Sequence, residues 1–241
     1  MHFDIPRGRM LEIAQADIAF DLAPHPYEVE HAAAIDANWA EEVRRQPALF
    51  DGQVMLFSRI AWQAGRLDGR CHAVRFASFL HWRRSRDGTT AEHLYAHAMP
   101  VASDGALVAI RMGSHTLNAG RVYFAAGSLD LDDVRDGRID LVHNMTREVS
   151  EETGIDLAGC RAEAAFHGYS ANSGTVILRR YFLEETAEVI ADRIRAFIAT
   201  QAEPEIAEPV IIANGGDLPD GLMPHMPPLI DWHFSVGASR G

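Results

Sequence analysis

Three glutamates fall within five residues of the sequence: Glu148, Glu151 and Glu152. On a helix, residues three and four positions apart share one face, so these like charges would repel each other. The sequence contains no lysine, so no ammonium group is available to offset them. Clustered carboxylates are hard oxygen ligands of the kind that Mg²⁺ and Mn²⁺ prefer. We therefore expect the three glutamates to bind a divalent cation, Mg²⁺ first and Mn²⁺ as its substitute.

The residues around these glutamates predict the helix that would carry them. Leu141, Met145 and Val149 recur at intervals of four and form an apolar stripe beside the acidic row. Asp140 is a favourable N-cap residue, and Gly154 suits the left-handed conformation that often ends a helix. The sequence thus predicts a helix with one buried face and one row of carboxylates.

The formal charge of the 241-residue chain is −12, and most of it is concentrated in two segments. Residues 127–157 hold nine acidic residues against three arginines, and residues 201–220 hold five acidic residues without a cation. An acidic balance argues against nucleic-acid binding, which draws on a basic surface. It leaves open whether each segment is a functional site or a solvated face.

Short β-rich runs and a few helices follow one another along the rest of the chain. Predicted strands cover residues 73–79, 94–101, 106–112, 122–126, 162–168, 174–183 and 210–213. Predicted helices lie near 32–43 and 185–200, residues 103–105 suit a hairpin turn, and a final turn lies around 229–234. This order is typical of an α/β domain with helices packed on a mixed β-sheet, residues 70–241, preceded by an N-terminal extension, residues 1–69. We expect the aromatic residues to lie in the core and not to form a stacking platform: Phe50, Phe57, Trp62, Phe79 and Trp82.

The cysteines and the apolar runs of the sequence indicate where in the cell the protein is located. Cys71 and Cys160 form no CxxC pair, which argues against a disulfide scaffold or a thiolate zinc site. No run approaches the roughly 20 apolar residues that span a bilayer, and the first residues lack an apolar signal core. We expect a cytoplasmic protein without a membrane partner.

Residues 147–155 resemble the second half of the Nudix box, G-x5-E-x7-R-E-U-x-E-E-x-G-U, where U is aliphatic. The matching positions are Arg147, Glu148, Val149, Glu151, Glu152, Gly154 and Ile155. The resemblance implies a Nudix-type α/β/α sandwich with a mixed β-sheet over about residues 70–240. It also implies that Glu148, Glu151 and Glu152 bind metal, and that Gly127 adds its backbone carbonyl. Arg147 would orient one of the carboxylates.

The first half of the box departs from the pattern. Gly127 lies 20 residues before Arg147 where the pattern has 14, which implies about six extra residues in the loop. Ile139 stands where the pattern has glutamate, with Asp140 beside it as a candidate substitute. We expect an altered loop shape more than lost activity.

The resemblance implies Mg²⁺-dependent hydrolysis of a nucleoside diphosphate linked to another moiety, such as UDP-glucose or a molecule like ADP-ribose. The stretch at residues 47–52 looks like the Nudix branch that includes UDP-glucose/UDP-galactose pyrophosphatases. The alternative is a non-catalytic Nudix-fold module that senses a nucleotide. In both cases the partner is a small-molecule nucleotide, and a homodimer is common in the family.

The remaining site residues lie outside the box. Members of the family often take a general base from a loop on the C-terminal side, which makes Glu205 and Glu208 candidates, with Glu151 or Glu152 as alternatives. Arg179, Arg180 and Tyr181 end a predicted strand and are candidates for binding the substrate. For each of these residues, plain solvent exposure is the competing interpretation.

Overall fold

Two mixed β-sheets form the centre of the protein. A computed structural model describes residues 2–47, 49–85, 90–172 and 174–237. The strands are β1 (Phe3–Asp4), β2 (Met10–Ile13), β3 (Gln15–Phe20), β4 (Gln53–Gln63), β5 (Arg66–Arg75), β6 (Leu94–Val101), β7 (Leu107–Met112), β8 (Val122–Tyr123), β9 (Val134–Arg135), β10 (Arg138–Ile139), β11 (Arg161–Ala162), β12 (Phe166–Ala171), β13 (Gly174–Phe182) and β14 (Ile206–Ile212). The helices are α1 (Pro26–Glu30), α2 (Ala32–Arg45), α3 (Phe76–Ser85), α4 (Leu141–Thr153), α5 (Ala187–Ile198) and α6 (Met226–Val236).

In each sheet, the strands that lie side by side are mostly not consecutive in the sequence. The first sheet runs β1-β4-β5-β3-β10-β9, and the second runs β14-β7-β6-β13-β12-β2, with β8 paired to β7 and β11 to β13. The pairs β1–β4, β3–β5 and β6–β13 are parallel, and the other pairs are antiparallel. The protein therefore has the mixed α/β architecture that the sequence predicted.

Helix α4 forms as its sequence predicted. The Asp140 side chain caps it by accepting a hydrogen bond from a backbone N–H of the first turn, 2.9 Å away. Gly154 ends it in the left-handed conformation at φ 70°. Leu141, Met145 and Val149 are buried, and the helix packs on β6. The acidic row therefore lies on a helix that is fixed at both ends and along one face.

The supporting elements of the second sheet also match their predictions. Strands β6 and β7 form an antiparallel pair, and the Ala102 N–H donates to the carbonyl of Ala106 across the predicted turn. Helix α5 packs on β7 and β14 and touches α4. These contacts hold α4 against the end of the sheet where the loop after β8 arrives.

Several predicted boundaries were wrong. Residues 73–79 do not form one strand, because β5 ends at Arg75 and α3 begins at Phe76. Ser78 and Trp82, four residues apart, are both buried, which is the spacing of a helix face. The predicted final turn is α6, whose prolines occupy its first turn, where no intrahelical N–H bond is lost. Strand β8 is shorter than predicted, and β14 begins four residues earlier.

The N-terminal residues contribute to both sheets. Strand β5, Arg66–Arg75, extends across the predicted division at residue 69. Strand β2 joins the second sheet beside β12, whereas β10, which lies far along the chain, joins the first sheet beside β3. A smaller apolar cluster of residues from α1, α2 and α3 packs on β4 and β5. The domain division stays a prediction.

Within the described ranges, no helix combines the length and the apolar character that crossing a membrane requires.

Candidate functional site

The loop after β8 lies directly against the carboxylate of Glu148. A β-carbon built on Gly127 would overlap all three atoms of that carboxylate group. Glu148 is buried, with 8% of its surface exposed, although it projects from the acidic row of α4. The absence of a side chain at Gly127 is therefore what lets this loop approach the helix so closely.

Glu152, one turn further along α4, contacts the same loop. Its Oε2 accepts a hydrogen bond from the Ala126 backbone N–H at 3.1 Å. Burial, followed by the neighbouring charges of Glu148 and Glu205, raises the pKa of Glu152 to about 8. Burial also raises the pKa of Glu148 to about 7. Two adjacent carboxylates are thus held in a place where the ionised form of each is unfavourable.

Arg147 forms an ion pair with Glu148, one of these two glutamates. Its Nη2 lies 2.9 Å from Glu148 Oε1 and 3.3 Å from Asp133 Oδ1, and its Nη1 lies 3.2 Å from Glu151 Oε2. The sequence predicts that Arg147 orients a carboxylate. The geometry places it against two glutamates of α4 and two aspartates of the preceding loop, Asp133 and, at 3.5 Å, Asp130. Charge-assisted hydrogen bonds of this kind fix a side chain in one orientation.

Asp133 is a site residue that the sequence did not single out. Its side chain is fully buried, and its Oδ2 accepts hydrogen bonds from the Asn144 amide at 2.9 Å and the Asp130 backbone N–H at 3.0 Å. Burial raises its pKa despite the opposing charge of Arg147. The lengthened loop therefore supplies an anchor for Arg147, and nothing in the sequence distinguished this aspartate from the other acidic residues nearby.

Glu151 is the exposed member of the three glutamates. Its side chain is 59% exposed and pairs with Arg147. Among the described residues, no group of three or more His, Cys, Asp or Glu side chains converges as a metal site would require. Glu148 and Glu152 nevertheless fit a divalent cation in chemistry, because they offer hard oxygen donors whose mutual repulsion a cation would relieve. The predicted set of three ligands stays a prediction.

The two candidate bases from the C-terminal segment differ in their surroundings. Glu208 pairs with Arg111 at 2.8 Å and is about half exposed. Glu205 precedes β14, and its charge contributes to the raised pKa of Glu152. Its backbone carbonyl accepts a hydrogen bond from the Gly113 N–H at 2.7 Å, which fixes this end of the segment. Of the two, Glu205 is the one that the structure brings towards the glutamates of α4.

The three candidates on β13 lie in a different environment. Arg180 is buried, pairs with Glu163 and donates to the Gly237 carbonyl at 3.0 Å. Arg179 donates to the Glu163 backbone carbonyl, and Tyr181 is buried. These contacts give no support to a role in binding the substrate, so we do not include the three residues in the site proposed below.

A deep pocket adjoins the glutamates on the other side of the loop. Its volume is about 820 Å³, open solvent included, and residues 126–128 form part of its wall. Phe79 and Trp82, which the sequence predicts to lie in the core, are buried but also line this pocket. The same prediction was wrong for Phe50, which is 82% exposed. His97 and His225 line the pocket as well. Because the wall is assembled from distant segments of the chain, no local pattern in the sequence could have predicted it.

Comparisons with known proteins give limited similarity, and only to solved structures. No family model matches the chain, and no curated protein matches it. Among the solved structures, 27 chains match. One is a MutT protein from Methanosarcina mazei Go1, which is 18% identical over 50% of this chain and 76% of that chain, with a TM-score of 0.31. At that score the similarity carries no argument about the site or its activity.

Proposed function

We propose that this protein is a Mg²⁺-dependent hydrolase of the Nudix type that cleaves the diphosphate of a nucleoside diphosphate linked to another moiety. The observation that carries the proposal is the contact of one loop with two carboxylates: Gly127 lies against Glu148, and Ala126 donates to Glu152. The box pattern in the sequence and the pocket beside the loop support the same conclusion.

In this proposal Glu148 and Glu152 hold the cation, and the Gly127 carbonyl is a further candidate ligand. When bound, Mg²⁺ would offset charge on the diphosphate and lower the pKa of a water molecule. The protein's own contribution is preorganisation. Arg147, held by Asp133, keeps the Glu148 carboxylate in place, and the Ala126 N–H does the same for Glu152.

The proposed reaction consumes one water molecule. Its oxygen forms a bond to one phosphorus atom, the bridging P–O bond breaks, and the bridging oxygen leaves with the other phosphate. The proton of the attacking water passes to a carboxylate, for which Glu205 is the best-placed candidate outside α4. The products are two monophosphates.

The test is a substrate panel with and without metal. Purified protein is incubated with UDP-sugars, ADP-ribose, NADH, CoA and dinucleoside polyphosphates, first in EDTA and then with excess Mg²⁺ or Mn²⁺. Anion-exchange chromatography should show paired monophosphate products from at least one compound, and only with metal. A panel without product in either metal would contradict the proposal.

A nucleotide-sensing module is the second candidate. The position of Glu151, which pairs with Arg147 instead of joining the other two glutamates, favours it. Calorimetry on the same panel separates the two candidates, because a sensor would bind a nucleotide without releasing any product.

A further inference from the structure

Three histidines line the pocket, and the proposed hydrolysis uses none of them: His93, His97 and His225. Of these, His97 and His225 are in ring contact with each other. His97 lies on β6 and His225 immediately before α6, and their ring centroids are 5.1 Å apart. Both side chains are almost fully buried, at 1% and 4% exposure. We call this cavity the histidine pocket.

The hydrogen-bonding state of His97 follows from its partner. Its Nδ1 lies 3.0 Å from the Phe124 backbone carbonyl, which can only accept, so Nδ1 must carry the hydrogen. Burial and the neighbouring His225 hold the pKa of His97 well below its usual value, so the ring is neutral. Its Nε2 is therefore a hydrogen-bond acceptor. Within the described ranges this atom has no partner.

His225 is placed to supply a hydrogen-bond donor. Its Nδ1 lies 3.0 Å from the Tyr95 hydroxyl. When the hydroxyl donates to Nδ1, the Nε2 of the neutral ring carries a hydrogen and is a donor. This Nε2 also has no partner among the described residues. With His225 in this tautomer, the pocket offers a buried acceptor and a buried donor on neighbouring rings. Groups left unsatisfied in this way are costly unless a ligand meets them.

The walls of the histidine pocket are aromatic and carry little charge. Phe79, Trp82 and Tyr123 contribute rings. Of the described residues that line it, Arg83 is the only one of type Arg, Lys, Asp or Glu, and its Nη2 donates to the Asn118 side chain at 3.2 Å. Such walls suit a flat, uncharged ring and not a second phosphate or a carboxylate.

We propose that the histidine pocket binds the nucleobase of the substrate, and that the base is a lactam, with a ring N–H beside a carbonyl, as in uracil, guanine and hypoxanthine. His97 Nε2 accepts the ring N–H, and His225 Nε2 donates to the neighbouring carbonyl. The inference rests on the proposed function, because residues 126–128 join this pocket to the glutamates and would connect the base to the diphosphate.

The test measures binding without turnover. Uridine, guanosine and inosine are titrated in EDTA, with ligand-observed NMR as the readout, beside N3-methyluridine, 1-methylguanosine and 1-methylinosine. At least one lactam nucleoside should bind, and its N-methyl derivative should bind about tenfold more weakly because the donor to His97 is lost. Adenosine and cytidine, which lack a ring N–H in the neutral base, should resemble the methylated nucleosides.

The variant His97→Asn tests the contribution of His97 to binding separately from that of the rest of the pocket. In His97→Asn, the amide can replace Nδ1 as donor to Phe124 but removes the Nε2 acceptor, so the preference over the methylated nucleoside should fall to about one. His2→Asn, on the exposed N-terminus, should keep the full preference. The wild-type comparison of each nucleoside with its methyl derivative needs no variant and stands even if His97→Asn does not fold.

The outcomes separate the two proposals. Absence of nucleoside binding, equal binding of the methylated forms, or an undiminished preference in His97→Asn would overturn the role of the pocket. Selective binding of a lactam nucleoside, together with a substrate panel that gives no product, would overturn the proposed hydrolysis but support the proposed role of the pocket.

Discussion

Gly127 and Glu148 are in such close contact that a β-carbon at position 127 would force the Glu148 carboxylate to move. This contact joins the loop after β8 to the helix that carries the glutamates. It also places the buried carboxylate of Glu148 next to a backbone segment that faces the histidine pocket. The site proposed here depends on that contact more than on any other.

Replacement of Gly127 by alanine should therefore displace Glu148. We expect Gly127→Ala to lower Mg²⁺-dependent turnover at least tenfold and to lower the free energy of unfolding by about 1–3 kcal/mol, the usual cost of overpacking. Turnover and chemical denaturation measure the two effects. Gly215→Ala is the matched control, because a β-carbon there meets its nearest neighbour at an ordinary 3.7 Å. Equal behaviour of the two variants would contradict the importance of the contact.

The three glutamates of the box should not be equivalent. Glu148→Gln and Glu152→Gln should each reduce kcat by about 100-fold or more, since each removes a charge from the buried pair. Glu151→Gln should cost less, because Glu151 is exposed and turned towards Arg147. Circular dichroism would check the fold, and Glu188→Gln on the exposed side of α5 is the control. If the Glu151 variant proved the most damaging, the arrangement of the ligands in the bound state would differ from the one described.

Metal-free protein should lose stability as the pH rises. The pKa values of Glu148 and Glu152 are about 7 and about 8 in the folded protein, above the ordinary value of 4.5. The folded state therefore holds protons that the unfolded chain has released, and raising the pH favours unfolding. Glutamine has no such proton to lose. Relative to Glu152→Gln, the wild type in EDTA should be about equally stable at pH 5 and at least about 1.4 kcal/mol less stable at pH 9.

Denaturation curves at several pH values provide this measurement. Excess Mg²⁺ at pH 9 should stabilise the wild type and leave Glu152→Gln almost unchanged. A stability difference independent of pH would show that these carboxyl groups are ionised in the folded protein at every pH tested.

The pair of Arg180 and Glu163 should matter for stability and not for substrate binding. Burial opposes ionisation of Glu163, but hydrogen bonds from His167 and Arg180 outweigh it and lower its pKa to about 2. A lowered pKa stabilises the folded protein above the ordinary value, and this contribution is lost as the pH falls towards 2. Glu163→Gln should therefore cost about 3–5 kcal/mol at pH 7 and progressively less below pH 4.

Thermal and chemical unfolding measure this loss of stability. The KM of the variant measures the alternative, a role of Arg180 in binding the substrate. Glu185→Gln breaks the exposed pair with Arg193 and should cost less than about 1 kcal/mol. A raised KM with unchanged stability in Glu163→Gln would instead favour the sequence-based prediction that Arg180 binds substrate.

The parts of the site that lie on one element were predictable. Asp140, the apolar stripe and Gly154 determine α4 through local capping and periodicity, so its limits follow from the sequence. The contact of Arg147 with a carboxylate was also predictable, because Glu151 lies one helical turn away. Asp133 was not, since its burial depends on how the lengthened loop folds back on α4.

The histidine pocket shows the limit of local patterns. The sequence predicts Phe79 at the end of a strand, because residues 73–79 form a short β-rich run, and a run of that length does not distinguish a strand from a helix. His97 and His225 are separated by well over a hundred residues, and the structure brings them together only through the pairing of β6 and the position of α6. Tertiary packing, and not propensity, creates the pocket.

The extra residues between Gly127 and Arg147 join the two sheets. Strand β10 pairs with β3, and the Leu129 carbonyl accepts a hydrogen bond from the Met55 N–H at 2.8 Å. A fragment that begins at residue 70 would lack both partners, so its glutamate helix would start from an unsupported loop. In chimeras with other proteins, this insertion and the first 60 residues would have to be exchanged together.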